Sequence, residues 1–352
     1  MQEVSKSHHK TLPRRFVNNQ RLNSIPSAIA LICILLFFVV LHSESATLAA
    51  NQKKPNYDLF SVTFPNENNG WACGRWGTVL HTADGGKTWN AQETGTDYTL
   101  TSIFFVDTKH GWAVGDEGTI IHTADGGKTW KSQKSPVPFF LMDVVFVSPN
   151  KGWVVTERTH ILNTNDGGKT WTVQFKEGDF ILKAVSFSDA QNGWAVGEYG
   201  LIYHTRDGGR KWVKEAGGFG VSPETGDIVA DPYLFDVMAV DAQNAWAVGI
   251  EGHVTRTTDG GKTWKKVDTG APKSTLFCIG GDKRNTINAG GDGIFLTSTD
   301  GGRTWKAPQF GPPITYSWLY GLARRGTPGF VTVGFEGAVY QQTSSGNWVK
   351  VN

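Results

Sequence analysis

The chain has 352 residues, 39% hydrophobic and 19% charged, with 43 glycines and 14 tryptophans, which is enough apolar material for a sizeable core and is not the composition of a disordered protein. Its net charge of +2 sits at the N terminus: the 34 lysines and arginines less Lys6, Lys10, Arg14, Arg15 and Arg21 leave 29, and the 32 acids less Glu3 and Glu44 leave 30. The remaining body is close to neutral, and nothing in it suggests nucleic acid, which would call for a basic face.

The first element in chain order is the apolar run AIALICILLFFVVL, Ala28 to Leu41, preceded by the basic residues and followed by small ones up to Ala50. That order predicts an export signal cleaved near Ala46 to Ala50 or, uncleaved, a membrane anchor over residues 25–42. The 14 apolar residues are fewer than the roughly 20 that a spanning helix prefers, so both readings stay open for residues 1–50. Arg14-Arg15 lacks the rest of a twin-arginine signal and is read as plain n-region charge.

Residues 51–352 are built on a repeat. HTADGGKTW occurs at His81 to Trp89 and again at His122 to Trp130. Asp-Gly-Gly returns at Asp84, Asp125, Asp166, Asp207, Asp259 and Asp300, each followed five residues later by a tryptophan, and a worn seventh copy ends at Trp348. Successive tryptophans lie 41, 41, 41, 52, 41 and 43 residues apart. Each unit parses into short strands: FSVTF, GWACG, TVLHT and TWNAQ in the first copy, SIFFVD, GWAVG, TIIHT and TWKSQ in the second. Asp-Gly between two strands is a hairpin signal, because glycine accepts the positive φ of a tight turn. A period in the forties with four strands per unit predicts an all-β, seven-bladed propeller of four-stranded blades, since one blade cannot bury both of its faces alone.

Two groups of repeated side chains are read as structural. His81, His122 and His204 precede their box aspartates by three residues, where other copies carry Asn163, Arg256 and Thr297. Equivalent positions spread around a ring cannot converge on one metal, so neither a metal nor a cofactor is expected. Cys73 fills a slot taken by valine elsewhere, and Cys278 falls in a blade that is not its neighbour, so two free thiols are predicted.

The box [ST]-x-D-G-G-x-T-W resembles the Asp box, or BNR repeat, of sialidase-type propellers. Together with GWAVGxxG one strand earlier, across residues 57 to 351, it resembles the photosystem II stability and assembly factor family. The resemblance implies that the box is a structural turn, with the aspartate accepting amide hydrogen bonds and the tryptophan packed into the blade. It also implies a non-enzymatic accessory protein on the exported side of a membrane (periplasm, cell envelope or thylakoid lumen) that handles newly made reaction-centre polypeptide during assembly.

Function should lie where the blades differ. The loops joining second and third strands share a face with the connections between blades and surround the central channel. They carry Arg75-Trp76, Asp116-Glu117, Glu157-Arg158, Glu198-Tyr199, Ile250-Glu251, Gly291-Asp292 and Phe335-Glu336. This rim predicts a protein-binding site for a basic or mixed-charge segment of a membrane protein or assembly intermediate, with Trp76 and Tyr199 as apolar anchors. The alternative is a sialidase-like glycoside hydrolase or carbohydrate-binding propeller. A sialidase would need several convergent arginines, and only Arg75 and Arg158 map to the rim, while Arg324 and Arg325 are placed in turns on the opposite face. The 52-residue spacing holds an insertion, GGFGVSPETGDIVADPY from Gly217 to Tyr233, which should emerge on the variable face.

Overall fold

The computed structural model describes residues 57–282, 285–326 and 329–351. The proposed signal or anchor, with Cys33 inside it, lies outside the described residues. Seven sheets succeed one another along the chain, each laid down in sequence order from an inner to an outer strand. The innermost strands are Leu59–Thr63, Leu100–Phe105, Leu141–Phe146, Leu182–Phe187, Leu234–Ala239, Leu276–Gly281 and Leu319–Gly326. The ring closes by face packing, with Leu59, Val62 and Ala72 of the first blade against Val331, Val333 and Val339 of the seventh.

The expected seven blades are all present, with two departures from four strands: blade six has three and blade seven five. In blade six the outer strand shrinks to a single bridge between Thr297 and Lys306, because Pro308 follows at once and brings no amide donor. Phe310–Gly311 then runs parallel to Trp348–Lys350 on the outside of blade seven. The insertion folds into a two-stranded hairpin, Phe219–Val221 with Ile228–Ala230.

In blades one to five the deepest anchor is the second-strand tryptophan and not the expected box tryptophan, whereas in blade seven the box Trp348 is itself fully buried. The second strands (Gly70–Gly74, Gly111–Gly115 and their equivalents) are buried at every position, and Trp71, Trp112, Trp153 and Trp194 are among the largest fully buried side chains. Trp71 stacks on Phe105 of the next blade at 3.7 Å, Trp112 on Phe146 at 3.5 Å and Trp153 on Phe187 at 3.7 Å. The repeated histidines cover the same rings: His81 lies 4.5 Å from Trp71, His122 4.8 Å from Trp112 and His204 4.1 Å from Trp194. Where the histidine is replaced, Arg256 sits 4.8 Å over Trp246 instead. The box tryptophan Trp130 is only half-buried and meets Phe105 edge-on at 5.9 Å. It is the second, outer contact of each aromatic stack.

The box itself is a folded turn. Asp84 accepts the Thr88 amide at 2.9 Å and the Thr88 hydroxyl at 2.7 Å, while Thr82 donates to Asp84 and accepts the Gly86 amide at 2.7 Å. These donors hold the Asp84 carboxyl down at about 2. Gly85 and Gly86 take φ of +73° and +87°, which a side chain would resist. Glutamines then link consecutive boxes: Gln92 donates to Gly126 O at 3.0 Å and Gln133 to Gly167 O at 2.9 Å. At the ring junction Gln341 and Arg325 both donate to Gly85 O, at 3.0 and 2.7 Å. Arg324 and Arg325 therefore belong to the long innermost strand of blade seven rather than to a turn. Cys73 and Cys278 are free and buried, and burial pushes both thiols up.

Candidate functional site at the channel mouth

The loops between second and third strands and the connections between blades share one face, as backbone bonds from Gly77 N to Tyr98 O and from Gly118 N to Phe139 O attest. Five of these loops are single 3₁₀ turns. The second residue is left-handed in six loops, at Trp76, Glu117, Arg158, Tyr199, Glu251 and Glu336, with φ between 52° and 61°. That conformation is uncommon outside glycine, and the side chains that carry it are exposed in every loop except that of blade four, where Tyr199 is half-buried. Blade six departs from the expected pairing. Leu276 pairs with Gly291 as Leu100 pairs with Gly115, so its loop is one residue shorter and Asp292 occupies the first position alone.

Several of the predicted rim residues are already engaged. Glu157 accepts the Phe140 amide at 3.3 Å and Glu198 the Ile181 amide at 3.0 Å. Asp116 accepts the amide of its neighbour Glu117 at 2.9 Å. Arg75 pairs with Asp58 at 2.9 Å and lies 5.6 Å over Phe60, whereas Arg158 lies 4.8 Å over Phe139 with Asp179 at 3.9 Å. Tyr199 is no free anchor, because its ring is surrounded by Phe219 at 5.1 Å, Tyr233 at 5.2 Å and Phe180 at 5.6 Å, which seats the insertion on blade four. Trp76, at 64% exposure, is free, and Glu117, Glu251, Asp292 and Glu336 are exposed.

Inside this rim the structure gathers residues that the loop pattern did not single out. Each innermost strand begins with a buried leucine, and a register break follows it in every blade. Such a bulge re-aims the extra residue. The residues directly after the leucines are Phe60, Thr101, Met142, Lys183, Phe235, Phe277 and Tyr320, and all but Thr101 retain an aromatic, thioether or cationic side chain. They line a cavity of 790 Å³ at the centre of the ring. Phe235, Phe277, Tyr320 and Phe60 form a continuous aromatic arc over blades five, six, seven and one, with centroids 5.3, 5.4 and 5.3 Å apart. The ammonium of Lys183 lies 5.9 Å over Phe235 at one end, and the Arg75 guanidinium closes the other. Burial lowers the Lys183 pKa, with Glu198 opposing, and raises Tyr320 to about 12.

One residue further along lie two carboxyls. Asp143 accepts Ser102 Oγ at 2.6 Å and the amides of Val144 and Val185, each at 2.9 Å, which links blades two, three and four. Asp236 accepts the amides of Val237 at 2.7 Å and Ile279 at 2.8 Å, linking blades five and six. Burial lifts Asp143 to about 6 and Asp236 to about 8, the latter helped by repulsion from Asp143. Their oxygens are spent on ties between blades, and no three metal-ligating side chains converge among the described residues. What the mouth offers is an apolar arc with a cation at each end, open to solvent.

No curated protein sequence matches the chain. Among solved structures it is similar to "YCF48 bound to D1 peptide", with a TM-score of 0.67 and 20% identity over 82% of this chain and 92% of that one. It is equally similar to YCF48 from Cyanidioschyzon merolae, with a TM-score of 0.66 and 21% identity over 82% and 96%. A GH74 xyloglucanase from Xanthomonas campestris shares the fold at a TM-score of 0.65 but only 11% identity, over 84% of this chain and 54% of that chain. The model of the photosynthesis system II assembly factor YCF48 family matches residues 88–139, 132–216 and 222–350. With seven blades, an Asp-box turn on one face and that match over most of its length, the chain belongs to the YCF48 family of photosystem II assembly factors.

Proposed function

We propose that this propeller is a non-enzymatic assembly or stability factor that holds a segment of a membrane protein against its channel mouth. The observation that carries the reading is the arc Phe235–Phe277–Tyr320–Phe60, bracketed by Lys183 and Arg75 above an open cavity of 790 Å³. An extended polypeptide can place an apolar side chain against such an arc while its own charges meet the two cations and the acids outside them. Family membership supports the role, and a relative solved with a D1 peptide supports a photosystem II membrane protein as the source of the segment. The side chains support a non-enzymatic reading: the two channel carboxyls are bonded to neighbouring blades, and Arg75 and Arg158 are paired on different loops instead of converging. The site lies on the exported side of the membrane in this reading.

The test is capture from detergent-solubilised membranes. Arg75→Glu/Arg158→Glu should weaken recovery of the partner about tenfold or more at low salt, the range expected when rim charges set encounter. Lys87→Glu/Lys128→Glu on the box face should leave recovery unchanged. Loss with the box-face variant and retention with the rim variant would mean that the opposite face binds.

A further inference from the structure

A second surface shares the mouth face and is not part of the channel. Five large aromatic side chains stand exposed around blades seven and one: Tyr316 at 94%, Trp76 at 64%, Tyr98 at 51%, Trp318 at 46% and Phe335 at 37%. They come from separate segments that hydrogen bonds join side by side. Phe335 N donates to Trp318 O, Glu336 N to Asp58 Oδ1, Arg75 N to Asp58 O and Gly77 N to Tyr98 O. The junction of these segments is Asp58, so the first described residues of the propeller lie in the middle of the patch. Only residues 42–56 separate it from the apolar run that ends at Leu41, a stretch of at most about 50 Å when fully extended.

We propose that this aromatic sector rests on the headgroup layer of a lipid bilayer, with the propeller held there by the apolar run 28–41; the inference rests on that run being retained as an anchor. Tryptophan and tyrosine favour the membrane–water boundary, where an apolar ring and a polar tip are both satisfied. The charge pattern selects the lipid. Within the five segments the one cation, Arg75, is paired with Asp58, and Glu93, Asp97 and Glu336 are exposed acids. Among the described residues of this face no basic cluster is present to draw it to anionic lipid, so the surface is one of electrically neutral headgroups, contacted through ring burial. The acids at the edge keep the contact shallow. The channel arc and the polar half of the rim, around Glu117, Arg158 and Glu251, are left free for a protein segment.

The full-length chain reconstituted into phosphatidylcholine vesicles tests this, with and without dibromostearoyl phosphatidylcholine as a bilayer-restricted quencher of tryptophan. The expected result is a loss of emission in the wild type that disappears in Trp76→Ser/Trp318→Ser, whose thermal midpoint is checked to confirm folding. Aqueous acrylamide should show the reverse, reaching these two rings in detergent and not in vesicles. Replacing a third of the lipid with phosphatidylglycerol should not increase the quenching. Vesicles that float with the protein but give equal quenching in wild type and variant overturn the lipid contact while sparing the anchor. Protein that fails to float overturns both. If Trp76→Ser/Trp318→Ser unfolds, Trp76→Tyr/Trp318→Tyr provides the same comparison, and persistence of the wild-type quenching there also refutes the contact.

Discussion

Replacing Trp112 with Ala will destabilise the propeller by about 3 to 5 kcal/mol, the cost of emptying a fully buried aromatic site. The indole is wholly buried, stacked 3.5 Å from Phe146 of blade three and covered by His122 at 4.8 Å. Its loss opens a cavity between two blades and leaves both partners without a face. The box tryptophan Trp130, half-buried and edge-on to Phe105, will cost less on removal, about 2 kcal/mol on an area basis. Urea denaturation of both variants measures the difference, and equal losses, or a larger one for Trp130→Ala, would place the main anchor in the box turn. Neither change should selectively abolish partner capture, because both rings lie between blades and away from the mouth.

A second large effect is expected from pH. Asp236 is pushed up to about 8 from the ordinary carboxyl value of 3.8 by burial and by Asp143, so between these values the folded chain carries a proton that the unfolded chain has released. Stability therefore falls as pH rises through that window. The buried histidines act in the opposite sense at lower pH: His204 is held down at about 4 against 6.5, so its contribution is gained as pH rises between those values. The interval from 6.5 to 8 isolates the carboxyl. There the wild type should lose about 1 to 2 kcal/mol relative to Asp236→Asn, which does not titrate and whose single amide oxygen keeps one of the two backbone bonds. Thermal denaturation of both proteins across this interval checks the sign. A difference that stays constant, or that favours the wild type as pH rises, would show that Asp236 is ionised in the folded state.

Much of this architecture is legible in the sequence because it is periodic. The spacing of the box tryptophans fixes the blade number, the Asp-Gly-Gly turns fix the strand order, and both fix which loops share a face. The histidines were also readable as structural from their equivalent places in separate blades. The channel was not readable, for a local reason: the bulge after each starting leucine interrupts the alternation by which a strand residue is assigned inward or outward. Phe60, Phe235 and Phe277 then look like ordinary strand residues, and only alignment of all copies on the leucine exposes the arc. Pairings within the rim were hidden as well. Arg75 finds Asp58 just before the first strand of its own blade, and Tyr199 is covered by Phe219 from the insertion, so two residues that stood out as free are partly spent. Trp112 outranks Trp130 because its strand is buried on both faces, a consequence of blade stacking that the box motif does not reveal.

The central claim is that the channel mouth, and not the box face, receives a protein segment. Site-specific photo-crosslinking addresses it most directly, with benzoylphenylalanine placed in turn at Phe277 in the arc, at Glu117 on the rim and at Lys128 in a box turn. With the full-length chain in membranes that contain the partner, the account predicts a crosslinked adduct to one membrane polypeptide from Phe277 and Glu117 and none from Lys128. An adduct from Lys128 with none from Phe277 and Glu117 would contradict it.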